Sequence, residues 1–332
     1  MRSVPALLAA TILVFLLTSC SGEEKRSADA QIAARIHVPG RPFSAAAGSG
    51  LLWVVSRSFS PHGCSNALPC SVIRIDPRSN HVVGRPIPVP AEPWSITVGG
   101  GFVWVTQFDG SLIKIDARTG RIVARVTAHP VYFGSVLAYG GGYLWTGNDD
   151  ERYAGGSTVT RLDPSTDRVV GRPIRLGSPQ SVAFGAGAFW VADHTGALVK
   201  LDPKSGKVLA RTRLAFGPHG IVATEHAVFV ADSHGARLLE ADPATARIRR
   251  ITRLPVGAIY PAIGGGSLWS GAATIWGGPP QAHDDRVLRI DERSMRVVQT
   301  IHVGGDVPNV AFGFGSAWAV SPRLHQVIRI TQ

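Results

Sequence analysis

The chain predicts an all-β fold: a seven-bladed β-propeller of four-stranded antiparallel blades, with the last blade closed by the N-terminal strand. Three observations predict it. A unit recurs every 40 to 50 residues or so, the period of propeller blades. Each copy consists of short Val, Ile and aromatic runs parted by turn residues. The two ends of the chain each carry an incomplete copy, and the two fragments complement one another.

The unit is clearest from Gly99 to Gly120 and again from Gly185 to Gly206. Phe102-Val-Trp-Val and Leu112-Ile-Lys-Ile flank an Asp-Gly step, which reads as a β-hairpin. The second run closes on Asp116-Ala-Arg-Thr-Gly120, where Asp bonds the backbone ahead of it and Gly accepts positive φ, so this is a turn. Arg121-Ile-Val-Ala-Arg-Val follows that turn, and Trp94-Ser-Ile-Thr-Val precedes the first Gly run, making four strands in all. The aromatic anchor of the second strand recurs at Trp53, Trp104, Trp145, Trp190, Phe229, Trp269 and Trp318. The closing acid of the third recurs at Asp76, Asp116, Asp163, Asp202, Asp242 and Asp291. The seventh copy stops after its third strand, Val327–Ile330, while Ala34–Val38 stands alone ahead of the first. Pairing the two closes the ring and removes both free edges.

Composition agrees with one strand-and-turn domain: 45% hydrophobic, 17% charged, 38 Gly and 23 Pro. Residues 31–332 form the propeller. Residues 1–19, with Arg2 and an apolar run from Val4 to Leu17, read as a signal peptide, too short to span a bilayer. The run ends in Leu17-Thr-Ser-Cys20, which resembles a bacterial lipobox; Cys20 is then the lipidated residue and residues 20–30 a tether. The expected location is the outer face of the cell membrane. Cys64 and Cys70 share one loop and are expected to form a disulfide in an oxidising compartment; a metal site there lacks a matching Cys/His pair.

The net charge is +11. Nucleic acid is not an expected partner of an exported protein. Arg74, Lys114, Arg161, Lys200, Arg289 and Arg329 stand two before the turn acid or its equivalent and read as a solvated strand face. Attraction to anionic lipid or wall polymer is the second reading of the charge.

Strand alternation puts the second-to-third hairpins and the inter-blade loops on one face. From anchor to turn acid the second-to-third hairpin takes 12 residues in blades 2 and 4, but 23, 18 and 22 in blades 1, 3 and 6. The added length therefore rises from one face, where function concentrates in loops. Ten residues before each anchor lie Phe43, Trp94, Ser135, Gln180, His219, Ile259 and Pro308, a ring around the channel mouth. The expected ligand-contacting residues are Phe43, Trp94, Gln180, His219 and Tyr260, with Tyr153 and Trp276 from the inserted loops. The acids at 149–151 and 284–285 read as solvated tips without calcium-loop spacing. Asp193-His194 and Asp232-Ser-His234 occupy equivalent tips of adjacent blades, with His219 between them. The three histidines are candidate catalytic groups, and Asp193 and Asp232 candidate metal ligands. Rings and an acid within about 3–5 Å of one point at the channel mouth favour chemistry; rings that point outward or lie on different faces favour binding.

Gly-x-x-x-Trp-Val followed by Leu-Ile-Lys-Ile-Asp-x-x-Thr-Gly resembles the YVTN/YncE-like seven-bladed propellers and, related to them, the streptogramin B (virginiamycin B) lyases. The likeness covers about residues 31–332. The lyase resemblance implies a carbon–oxygen elimination, with a histidine base and a magnesium ion held by glutamates. His219, in Gly217-Pro-His-Gly220, occupies the corresponding kind of loop, with Glu225-His226 just beyond. The lyase's Glu-x-His pairing is absent from the chain. Quinone-cofactor propellers share the Asp-x-x-Thr-Gly turn but carry a further Trp that is missing here. The leading expectation is a membrane-anchored monomer without cofactor. It binds a small molecule or an envelope protein through its loop-elaborated face, without catalysis. The alternative is a lyase-like or metal-assisted enzyme, with magnesium, centred on His194, His219 and His234.

Overall fold

In the computed structural model, residues 29–58, 63–65, 69–127, 136–148, 157–272 and 284–332 are described. They form seven antiparallel sheets, the blades of a propeller; in blades 1 to 6 the strands follow sequence order from channel to rim. Blade 2 is typical: Pro93–Gly99, Phe102–Gln107, Ser111–Asp116 and Ile122–Thr127. In blade 7, Gln31–His37 pairs with Gln326–Thr331, from Gln31 opposite Thr331 to His37 opposite Gln326, with a register shift between Ile32 and Ala34. The N-terminal strand thus closes the ring as the sequence leads one to expect. Among the described residues no helix is long and apolar enough to cross a membrane.

The outermost strands of blades 1 and 3 are each broken in two, His81–Val82 with Ile87–Pro88, and Arg168–Val169 with Ile174–Arg175. Both breaks fall on Val-Gly-Arg-Pro, at Gly84 and Gly171. Proline cannot donate to a ladder, so it is tolerated only on such edges.

Six anchors are fully buried tryptophans, and Phe229 is equally buried in blade 5. Each anchor has the same cross-strand partner position: Trp104 faces Lys114, Trp145 faces Arg161, Trp190 faces Lys200 and Trp318 faces Arg329. These bases were expected to face solvent. They do not: Lys114, Arg161 and Arg289 are buried, and Arg74, Lys200 and Arg329 half-buried. The middle strands of a blade are covered on both faces by the neighbouring blades, so period-two alternation no longer separates core from water.

Lys114, Arg161, Lys200, Arg289 and Arg329 each lie over the facing tryptophan, at 5.1 Å for Lys114 on Trp104 and 5.0 Å for Arg329 on Trp318. Four of them reach on to the turn of the next blade. Lys114 Nζ donates to the Pro164 carbonyl at 2.7 Å, Arg161 to Pro203 at 3.0 Å, and Lys200 to Pro243 at 2.7 Å. Arg329 of blade 7 donates to Pro77 of blade 1 at 2.6 Å, carrying the series across the closure. Blade 5 is the variant. Phe229 faces Glu240, which faces Arg250, and Arg250 donates to the Arg293 carbonyl of blade 6.

Nearer the axis, the inner strands meet at glycines. A Cβ on Gly99 would lie 2.0 Å from the Tyr139 ring of the next blade, so only glycine admits this approach. Turn acids behave as read from the sequence: Asp116 Oδ1 accepts from Thr119 N and Oγ1, each at 2.7 Å. These bonds hold its carboxyl below the usual carboxylate range.

Candidate functional site: the loop face and channel mouth

The long connections of blades 1, 3 and 6 leave from Arg57, Asn148 and Ala272, the same end of equivalent strands. Strand alternation therefore puts them on one face with the inter-blade loops. Tyr153, Trp276, Ser135 and the candidate lipidation residue Cys20 lie outside the described residues.

At the axis, a cavity of about 330 Å³ opens between the inner strands. Phe43, Trp94, Phe184 and Tyr260 supply its aromatic surface, and Ser44, Ser95, Ser181 and Asn309 its polar groups. No Asp, Glu, Lys, Arg or His belongs to its lining among the described residues. Tyr260 has φ of 42°, a left-handed conformation that is rare for a bulky residue, at an irregularity between Ile259 and Ala262. Such strain persists only where its surroundings enforce it. Of the ring expected from spacing, Phe43, Trp94 and Pro308 line the cavity; Gln180 and His219 do not. Gln180 Nε2 donates instead to Ser178 Oγ at 3.3 Å.

Beside the mouth, Phe43 and Trp94 pack at 4.9 Å, and Trp94 meets Phe108 edge-on at 5.2 Å. The Arg57 guanidinium lies 4.4 to 4.9 Å from all three ring centres. Buried Arg57 pairs with buried Glu92 at 3.1 Å, and Glu92 also accepts from Ser58 Oγ at 2.6 Å. The Cys64–Cys70 disulfide sits on this pair, with Cys70 Sγ 3.0 Å from Glu92 Oε2. The disulfide is present as expected and is consistent with an extracytoplasmic location. Sequence reading missed Arg57, Glu92 and Phe108. The signal available was positional: Arg57 and Phe108 each stand four after an anchor, the hairpin-tip position that His194 occupies in blade 4.

The three candidate histidines do come together. His194 and His219 meet at 4.4 Å between ring centres, His219 and His234 at 4.7 Å, and His194 and His234 at 6.3 Å. Backbone bonds fix two of the three loops, from His194 N to Ser178 O at 2.7 Å and from His219 N to Ala231 O at 3.0 Å. Ser233 Oγ lies 2.9 Å from His219 Nδ1. Gly217 makes room for the cluster, since a Cβ there would fall 2.5 Å from His194 Nδ1. That nitrogen is buried and has no hydrogen-bond partner among the described residues. Burial, with the two neighbouring imidazoles, pushes His219 down to about 4.

Asp193 and Asp232 are adjacent, but their oxygens are engaged. Asp193 accepts from Gly177 N, Ser178 N, Thr195 N, Thr195 Oγ1 and Arg211. Asp232 accepts from His234 N, Gly235 N and Arg237. Both stand three after an anchor, where Gln107 and Ser56 also tie the hairpin to the inter-blade loop, by bonds to Ala91 O and Pro39 O. These aspartates organise loops. They do not present a set of free oxygens to a hard cation such as magnesium. Among the described residues, Cys64, Cys70 and Glu92 form the one group of three or more potential ligands with atoms within 4.8 Å, and the disulfide occupies both sulfurs.

No family model matches this chain, and no curated protein matches it. The kinship to YncE-like propellers and to the lyases therefore rests on the repeat motif alone.

Proposed function

We propose that this propeller is a membrane-anchored, extracytoplasmic binding protein whose channel mouth takes an uncharged small molecule with a flat apolar part. The observation that carries the reading is the lining of the axial cavity, which among the described residues has four aromatic rings, a few hydroxyls and one carboxamide, and no Asp, Glu, Lys, Arg or His. Apolar concavities with a few placed polar groups are the usual form of small-molecule sites. A charged ligand would be desolvated there without a partner, at a cost of several kcal/mol. The disulfide agrees with an exported protein, and the Leu-Thr-Ser-Cys20 segment supplies the anchor in this reading.

Two observations favour binding over the lyase-like alternative. A base held near 4, as His219 is, has little driving force to take a proton from carbon at neutral pH. The acids beside it are committed to the backbone and to arginines. The experiment is a thermal-shift screen with matched neutral, anionic and cationic aromatic compounds. Stabilisation is expected from the neutral set and lost in Trp94→Ala. A response confined to charged compounds would overturn the reading.

A further inference from the structure

None of the three clustered histidines belongs to the lining of the axial cavity, and they carry a separate inference. We infer that His194, His219 and His234 form a capture site for a borderline divalent ion of the Zn²⁺, Ni²⁺ and Cu²⁺ class. Three loops from two blades deliver three imidazoles to one place, with ring centres at 4.4, 4.7 and 6.3 Å. Metal–nitrogen bonds of about 2.0–2.1 Å set the ring centres of imidazoles sharing an ion roughly 4.5–6 Å apart; the 4.4 and 4.7 Å separations lie at the lower end of this range, and the 6.3 Å one must shorten. In the present rotamers one nitrogen from each ring does not yet fall within 4.8 Å of the others. His234 is exposed and its ring contact with Ser233 Oγ is long at 3.5 Å, so the site requires this ring to turn toward the other two on binding.

The second layer agrees. With Ser233 Oγ accepting from Nδ1–H of His219, the Nε2 lone pair of that ring is left for the ion. The buried Nδ1 of His194 has no protein partner among the described residues, so this side chain is unsatisfied as it stands. The ligand set also selects the ion. Imidazole suits Zn, Ni and Cu, whereas Mg²⁺ and Ca²⁺ require oxygens, and the nearby aspartate oxygens are taken.

The test is calorimetric titration of the full mature chain, stripped with chelator and dialysed, with ZnCl₂ alone and MgCl₂ alone. One Zn²⁺ per chain and no Mg²⁺ binding are expected. His234→Ala and His194→Ala should each weaken Zn²⁺ by at least about tenfold, and Co²⁺ should give the visible spectrum of nitrogen ligation in wild type only. Since His234 is exposed, its variant should fold; an unchanged circular dichroism spectrum verifies that, and loss of Zn²⁺ binding in this folded variant supports the site. Zn²⁺ affinity within twofold of wild type in both variants, or equal Mg²⁺ binding, would overturn it. The channel-mouth screen is run in chelator, so either reading can fail without the other.

Discussion

Lys114 of blade 2 lies over the Trp104 ring and donates through Nζ to the Pro164 carbonyl of blade 3, 2.7 Å away. It also pairs with Asp167 at 2.6 Å. The same arrangement of anchor, facing cation and next-blade carbonyl recurs at Arg161, Lys200 and Arg329. The blades are therefore fastened tangentially by buried charge-assisted bonds as well as by apolar packing. Lys114→Ala should destabilise the fold by about 2 kcal/mol, because it leaves a buried carbonyl without its donor. Urea unfolding measures this, and an unchanged midpoint would show the clamp to be decorative.

Blade 5 supplies the complementary case. There Glu240 takes the position of the cation, and Arg250 donates to Arg293 O while pairing with Glu240. Arg250→Ala alone should destabilise more than Arg250→Ala combined with Glu240→Ala, since the single change leaves a largely buried carboxylate with its weaker partner, Arg249 at 3.7 Å. A double-mutant cycle reads the difference. Strict additivity of the two changes would contradict the coupling.

Ring closure makes a third prediction. Ile36 and Val38 are buried against blade 7, and Val38 N donates to His325 O at 2.9 Å. Removing residues 31–38 strips the outer strand and exposes the edge Gln326–Thr331, so the product should aggregate or melt well below wild type. Sedimentation velocity and thermal melting decide it; a truncated chain that stays monomeric and melts normally would count against closure.

Acid stability should show two separate windows when measured in chelator. His219 has its folded pKa pushed down to about 4 from an ordinary value near 6.5. Between those values the unfolded chain binds the extra proton, so stability falls as pH drops from about 6.5 to about 4, by about 1–2 kcal/mol after allowance for solvent screening. The turn acids behave differently. Asp242, held at about 2 by backbone donors and Arg249, contributes stability that is lost only as pH falls below the ordinary aspartate range. His219→Asn should flatten the upper window and leave the lower one in place. Chemical denaturation from about pH 2 to pH 7 is the measurement.

Much of the fold was legible because the repeat is local. Anchor, hairpin, Asx turn and the orphan strand Ala34–Val38 are each written within a few residues. The bases two before the turn acid were misread as solvated because their burial comes from the neighbouring blade, which in-strand alternation does not encode. At the site, the histidines could be assembled from equivalent repeat positions, since His194 and His234 lie at matching hairpin tips. Arg57 and Glu92 could not. Arg57 holds a repeat position at the end of Leu51–Arg57, but Glu92 lies 35 residues on in an inter-blade loop, and their pairing depends on blades 1 and 2 meeting under the disulfide. The reach of the Asp193 and Asp232 carboxylates into the backbone was likewise hidden, because turn former and metal ligand look identical in one dimension.

The most direct test of the binding account is the affinity, in chelator, of the best neutral hit for wild type, Trp94→Ala and His194→Ala. The account predicts a loss of at least about tenfold in Trp94→Ala, equivalent to roughly 1.4 kcal/mol, and no change in His194→Ala. Unchanged binding in Trp94→Ala with loss in His194→Ala would move the site from the channel mouth to the histidine cluster and contradict it.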